Sequence, residues 1–133
     1  MSDMPASSPK QTMMSTIGIE VMEQTAQRVV ARMPVGPAVM QPFGLLHGGA
    51  SVALAETVAS IAAWMNVDRD KFHVVGLEIN ANHLRAVREG VVTAVALPIQ
   101  VGRRIHVWDV RITDESGRLV CISRCTVAVV PKE

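Results

Sequence analysis

The stretch Ala50-Ser51-Val52-Ala53-Leu54-Ala55-Glu56-Thr57-Val58-Ala59-Ser60-Ile61-Ala62-Ala63-Trp64-Met65 decides how this chain folds. It contains neither Gly nor Pro and is dense in Ala, the strongest helix former. Val52, Leu54, Ala55, Val58, Ala59, Ile61, Ala62 and Ala63 spread round almost the whole circumference, leaving Ser51, Glu56, Thr57 and Ser60 as the polar members. A helix that is apolar on most faces is buried. The stretch therefore predicts one helix of about 16 residues, roughly 24 Å long, lying inside the fold.

On either side of that helix the periodicity changes to two. Upstream, Ile17, Ile19 and Val21 and then Val29, Ala31, Met33 and Val35 form two alternating runs separated by the polar segment Glu23 to Arg28, which predicts a strand pair. Pro34, Gly36, Pro37, Pro42 and Gly44 break regular structure before the helix. Downstream, His73 to Leu84, Val91 to Val101, Arg104 to Thr113 and Leu119 to Val130 are rich in Val, Ile and Leu and read as strands. Arg88-Glu89-Gly90, Val101-Gly102-Arg103 and Asp114-Glu115-Ser116-Gly117 are turn signals, so successive strands are expected to pair as antiparallel hairpins. The predicted class is α+β, in the order β β α β β β β, with a curved antiparallel sheet around one central helix. Residues 1–15 are polar and aperiodic and read as a flexible arm able to hold a short helix or dock on a neighbour; 16–133 form a single domain. One helix covers only part of a sheet this apolar, so a homo-oligomer is expected.

Composition narrows the function. Apolar residues make up 49% of the 133 and charged ones 19%, which is the balance of a folding chain. Thirteen Lys and Arg against twelve Asp and Glu give +1 without a basic run, and aromatics are 3%, so neither phosphate-backbone attraction nor base stacking favours nucleic acid. No secretory leader and no apolar run long enough for a membrane span is visible, and a cytoplasmic location is expected. Cys121 and Cys125, four residues apart on a strand, are separated by roughly 13 Å and cannot bridge each other. His47, His73, His83 and His106 show no metal-binding spacing, so no metal is expected.

Glu56 is the residue that asks for an explanation, because a carboxylate in an Ala-rich helix is costly to bury unless it is solvated at a cleft or used. His47-Gly48-Gly49 places two glycine amides at the helix start, where the first N–H groups lack partners inside the helix and the dipole favours negative charge. Such an amide resembles an oxyanion hole. Ser60, four residues after Glu56, shares its face. Gln41, beside Pro42-Phe43-Gly44, offers an amide to a carbonyl or a water. No Ser nucleophile of the GxSxG type is present.

The run from Gln41 to Glu56, followed by Val75-Gly76-Leu77-Glu78-Ile79-Asn80-Ala81-Asn82-His83, resembles the hotdog-fold acyl-CoA thioesterases. The similarity is to the subfamily with 1,4-dihydroxy-2-naphthoyl-CoA and Arthrobacter-type 4-hydroxybenzoyl-CoA thioesterases, and it extends from about Ile17 to Val130. The resemblance implies hydrolysis of an acyl-CoA, with an aryl acyl group such as hydroxybenzoyl or dihydroxynaphthoyl. It implies Glu56 as nucleophile or general base, the Gly48 amide as carbonyl-polarising donor, His47 and Gln41 at the thioester end, and Ser60 assisting water. It also implies a site at a dimer interface, dimers paired into a homotetramer, and no cofactor beyond the coenzyme A of the substrate. Asn80, His83 and Arg85, read as one strand at near-alternating positions, together with the turn Gly102-Arg103-Arg104, are the expected CoA contacts; Arg103 stands where relatives often carry a small hydroxyl residue. Leu84, Val58 and Trp64 are candidate pocket residues. A non-catalytic acyl-CoA-binding regulator and a hotdog dehydratase are the alternative functions.

Overall fold

The structure, a computed structural model, describes residues 10–133. Its elements are α1 (Met13–Thr16), β1 (Glu20–Gln24), β2 (Val29–Pro34), a 3-10 turn (Pro37–Val39), α2 (Gly48–Trp64), β3 (Phe72–His83), β4 (Val91–Val101), β5 (Ile105–Thr113) and β6 (Leu119–Pro131). Of the arm expected at 1–15, residues 1–9 lie outside the described residues, and α1 begins within its last part. The first strand starts at Glu20 and not at Ile17, because Ile17 caps α1 and Gly18, at φ +81°, turns the chain before the strand can form.

All six strands form one antiparallel sheet in the order β1-β2-β4-β5-β6-β3, and α2 packs against every one of them. The helix is central, as its composition predicts. Leu54, Ala55, Val58, Ala59, Ala62 and Ala63 are fully buried on it, and Gly49 is its one exposed residue. Small residues face small residues: Ala31 of β2 pairs with Ala94 of β4, both buried, which lets the Ala-rich helix approach the sheet closely. Met33, Trp108 and Ile112 fill what remains. Truncating one such fully buried side chain, for example Leu54, costs about 2–5 kcal/mol.

The expectation of hairpins throughout is corrected at one connection. β4–β5 and β5–β6 are hairpins, but Arg88-Glu89-Gly90 does not fold β3 back on β4. β4 already has β2 on its other side, so β3 takes the edge left free on β6, whose 13 residues match its own 12. β3 is consequently an outer strand with one side unpaired. Val75 and Leu77 on it are about half exposed, at 47% and 58%. An edge this long and apolar is a template for pairing with another chain.

A bulge in β3 between Gly76 and Glu78 sets which of its residues face α2. Before it, Val74 and Gly76 lie opposite the buried Val129 and Val127; after it, Ile79, Ala81 and His83 lie opposite Cys125, Ser123 and Cys121. One residue fewer would turn His83 to the outer face.

Candidate functional site

The start of α2 is held by His47, its N-cap, whose Nδ1 accepts the Gly49 N–H at 2.8 Å. That nitrogen is thus engaged in capping. The Gly48 N–H has no acceptor among the described residues, and it sits at the positive end of the helix dipole. A Cβ at position 48 would lie 2.9 Å from His83 Nε2, so the absence of a side chain lets the imidazole pack closely against the Gly48 backbone. Gln41 folds the preceding loop: its Oε1 accepts the N–H groups of Phe43 and Leu45, and its own carbonyl accepts from Gly44, which stands at φ +80°. Gln41, Gly48, His83 and Arg85 converge on one cleft of about 420 Å³, with Leu84 and the buried Ser51 also in its wall.

Glu56 lies elsewhere on the same helix. Eight residues from Gly48, it is displaced by about 12 Å along the axis, and its half-buried side chain lines a groove of about 400 Å³ with Ser60, Thr57, Ala53 and Ile61. The opposite wall is Met13, Met14, Ile17 and Ile19. The carboxylate also reaches the edge strand, where Gly76 leaves it room: a Cβ there would collide with Oε2 and come within 3.3 Å of Cδ. Ile19 enters β1 and Gly76 belongs to β3, so the two edges of the curled sheet close on the stripe of helix that carries Glu56. Cys125 lies on the strand behind this stripe. Burial, with the charges of Glu56 and Glu78 added, pushes its thiol up to about 11, and it remains a neutral thiol. Cys121 and Cys125 are both free and buried.

The remaining expected residues fall into two further places. Gly102, Arg103 and Arg104 line a cavity of about 900 Å³ with Asn66, Phe72 and His106, at the Phe72 end of β3. His106 is buried there, and burial lowers its pKa, with the Gly102 backbone opposing, so the imidazole is neutral at pH 7. Asn80 and His83 do not share a face as expected: both follow the bulge, and three residues apart on a regular stretch of strand they fall on opposite sides. Asn80 lies opposite Arg124 on the outer face and donates to the Glu78 carboxylate at 3.3 Å. Arg85 lies beyond the end of β3. Val58 is wholly inside the core, and Trp64 stacks beneath the Arg69 guanidinium at 4.4 Å, so neither lines the groove beside Glu56. Of the residues flanking Glu56, Gly76 had a visible signal, since a glycine inside a strand marks a close approach. The α1 wall had none.

Among the described residues no group of three His, Cys, Asp or Glu side chains is placed to hold a metal ion, and no helix is long and apolar enough to cross a membrane.

Comparison with known proteins identifies the arrangement. The 1,4-dihydroxy-2-naphthoyl-CoA hydrolase of Listeria monocytogenes is 50% identical over 117 residues, covering 88% of this chain and 94% of its own. The 1,4-dihydroxy-2-naphthoyl-CoA hydrolase of Escherichia coli is 53% identical over 100 residues, 75% of this chain and 73% of its own. The crystal structure of a mutant thioesterase from Pseudomonas aeruginosa superposes with a TM-score of 0.90 at 48% identity, covering 92% of this chain and 88% of that one. The family model described as Thioesterase superfamily matches residues 43–121, from the loop before α2 to the start of β6. The chain belongs to the thioesterase superfamily, has its hotdog fold, and is a thioester hydrolase.

Proposed function

We propose that the protein hydrolyses an acyl-CoA thioester, favouring an aryl acyl group such as hydroxybenzoyl or dihydroxynaphthoyl, in sites shared between two copies of the chain. The observation that carries this reading is the division of α2: an uncapped Gly48 amide at its start and a carboxylate against Gly76 at its middle, about 12 Å apart. One thioester carbonyl needs both groups within roughly 3 Å. Two copies of α2 side by side and antiparallel bring the Gly48 of one beside the Glu56 of the other. The unpaired edge of β3 offers the matching contact, since antiparallel pairing with a second β3 sets its Phe72 end against the partner's His83 end.

The same pairing accounts for the scattered candidates for CoA contact. His83 and Arg85 lie at one end of β3 and Arg103 and Arg104 at the other, about ten residues or roughly 33 Å apart. No single CoA is held by both sets within one chain. Across the pair, one set faces the other and both can flank one nucleotide, where guanidinium groups suit its phosphates. Two such dimers make the proposed homotetramer.

The chemistry then runs as follows. The Gly48 N–H binds the thioester oxygen as it gains negative charge. Glu56 either attacks the carbonyl carbon, giving an anhydride that water opens, or takes a proton from the water that attacks. Either way the C–S bond breaks, CoA leaves as its thiolate and is protonated, and the acid is released. Ser60, in the groove with Glu56, holds the water. Hydrolysis in ¹⁸O-labelled water under single-turnover conditions distinguishes the two routes, because the anhydride route can place oxygen from Glu56 itself in the first product.

A thiol-detecting dye with a panel of acyl-CoA esters tests the function. Release of CoA that is fastest with aryl esters is the expected result. Binding of the esters without thiol release would identify a non-catalytic binder instead.

A further inference from the structure

We propose that α1 and the turn after it form the selectivity wall of the acyl site, so that Met13, Met14 and Ile17 decide which acyl groups reach Glu56; this rests on Glu56 being the reacting carboxylate. The groove beside Glu56 is built by Ala53, Glu56, Thr57, Ser60 and Ile61, which recur at helical spacing along one face of α2, and its other wall comes from the N-terminal segment. Among the described residues, Glu56 is the one ionisable group in the lining. An occupant therefore has an apolar body and places its reactive atom at the carboxylate. That describes the acyl end of a thioester, whose charged end must lie outside the groove. About 400 Å³ is near the lower end of small-ligand pockets, which suits a compact apolar group.

The wall itself is well suited to discriminate. Methionine is flexible and polarisable, and its sulfur makes favourable contacts with aromatic rings. A helix of four residues has little stability of its own, so its place depends on a few contacts. Thr12 N–H donates to Ser15 Oγ at 2.9 Å and Ser15 Oγ to the Thr12 carbonyl at 3.0 Å. The Ile19 N–H donates to the Met14 carbonyl at 2.8 Å. Gly18, at φ +81°, makes the reversal, and a Cβ on it would lie 2.9 Å from Pro34 Cγ. Met14 and Ile17 rest on the core, whereas Met13 is 65% exposed at the rim. The wall can thus be altered without rebuilding the sheet.

The test compares kcat/KM for acetyl-, hexanoyl-, benzoyl- and naphthoyl-CoA in the full-length protein and in Met13→Ala, Met14→Ala, Ile17→Ala and Gly18→Ala. The last displaces the wall without changing a lining residue. The expected result is a change of about tenfold or more in the ratio of naphthoyl to acetyl turnover, the scale on which an apolar pocket discriminates by size. Met13→Ala, at the exposed rim, keeps the test open if a more buried variant does not fold. Equal scaling of all four esters in the folded variants would overturn the wall. Glu56→Gln, run on the same panel, separates the two ideas: it is expected to depress every ester alike. If it does so while the ratios stay fixed in the wall variants, the wall fails and the site stands. If Glu56→Gln turns over normally, the site fails and the wall falls with it.

Discussion

The cleft at the start of α2 and the groove at its middle sit on one helix and carry opposite chemistry. The cleft gathers the Gly48 amide and the positive charge of Arg85 beside the His83 imidazole. The groove holds one carboxylate among methionines, alanine and isoleucines. In the proposed mechanism each is half of a hydrolytic site: one half stabilises an oxyanion, the other supplies attack. The distance between them along the helix is why the proposed mechanism calls for a second copy. Replacing Glu56 breaks the comparison most severely. Glu56→Gln keeps the size and loses the charge, and kcat is expected to fall by about 10² to 10⁴. Near-normal turnover of the folded variant would remove the groove from the chemistry.

Deleting the donor on the other side is the next largest effect. Gly48→Pro removes the N–H while keeping the helix, because position 48 is the first helical residue, where proline is well tolerated. His47 before it, at φ −68° and ψ 130°, already has the extended backbone that precedes proline. The expected fall in kcat is about 10² to 10³, the scale of a lost oxyanion donor. Gly48→Ala, which keeps the N–H but presses a methyl on the His83 ring, separates loss of the amide from crowding. Mixing Glu56→Gln with Gly48→Pro then sharpens the comparison. If the two halves come from different copies, each mixed dimer has one intact site, and random re-association of equal amounts restores about a quarter of wild-type activity. No recovery after demonstrated exchange would place both groups in the same copy.

Much of this arrangement was legible in the chain itself, and the parts that were not share a cause. α2 declared itself because an Ala-rich stretch apolar on most faces is compatible with burial alone, and Glu56 stood out against that background. Ser60 followed from helical spacing and does share the groove with Glu56. Local patterns fail where partners are distant. The turn at Arg88-Glu89-Gly90 looks the same whether β3 returns to β4 or crosses to β6; the choice depends on β2 having occupied β4. The bulge at Gly76 to Glu78, which sets the faces of every later residue in β3, leaves only a glycine as its trace. Nothing in Met13, Met14 or Ile17 reveals that they meet Ala53 and Thr57, some forty residues on.

The arginines give a smaller and more selective effect. Arg85 borders the donor cleft and Arg103 and Arg104 the cavity at the other end of β3, so the proposed pairing puts both sets on one nucleotide. A charge-assisted bond to phosphate contributes roughly 1.5 to 3 kcal/mol, so Arg85→Ala, Arg103→Ala and Arg104→Ala should each raise KM for the CoA ester by about tenfold or more, with kcat little changed. The acyl-pantetheine analogue lacks these phosphates, and its KM should hardly respond. Equal losses on both substrates would mean that the arginine supports the fold.

The smallest effect is a control that moves stability and neither half of the site. Asp114 opens the β5–β6 turn, where its Oδ1 accepts the N–H groups of Ser116 and Arg118 and its Oδ2 accepts Arg118 Nε, all at 2.9 Å. The Arg118 backbone N–H, then that of Ser116 and the Arg118 charge, hold the carboxyl below its ordinary 3.8 against a smaller opposing effect of burial. A carboxyl whose pKa is depressed by folding contributes stability above its unfolded value and loses it as pH falls through the folded one. Asp114→Ala should therefore melt below wild type at pH 7, and the two Tm values should converge as the pH drops below 3.8. Asp114 lines neither the cleft with Gly48 nor the groove with Glu56, so the substitution should leave kcat and the acyl preference unaltered at temperatures where both proteins are folded. A Tm difference that stays undiminished as the native carboxyl is titrated below 3.8 would mean that the turn is held by its backbone bonds and the Gly117 reversal, at φ +80°, rather than by the carboxylate.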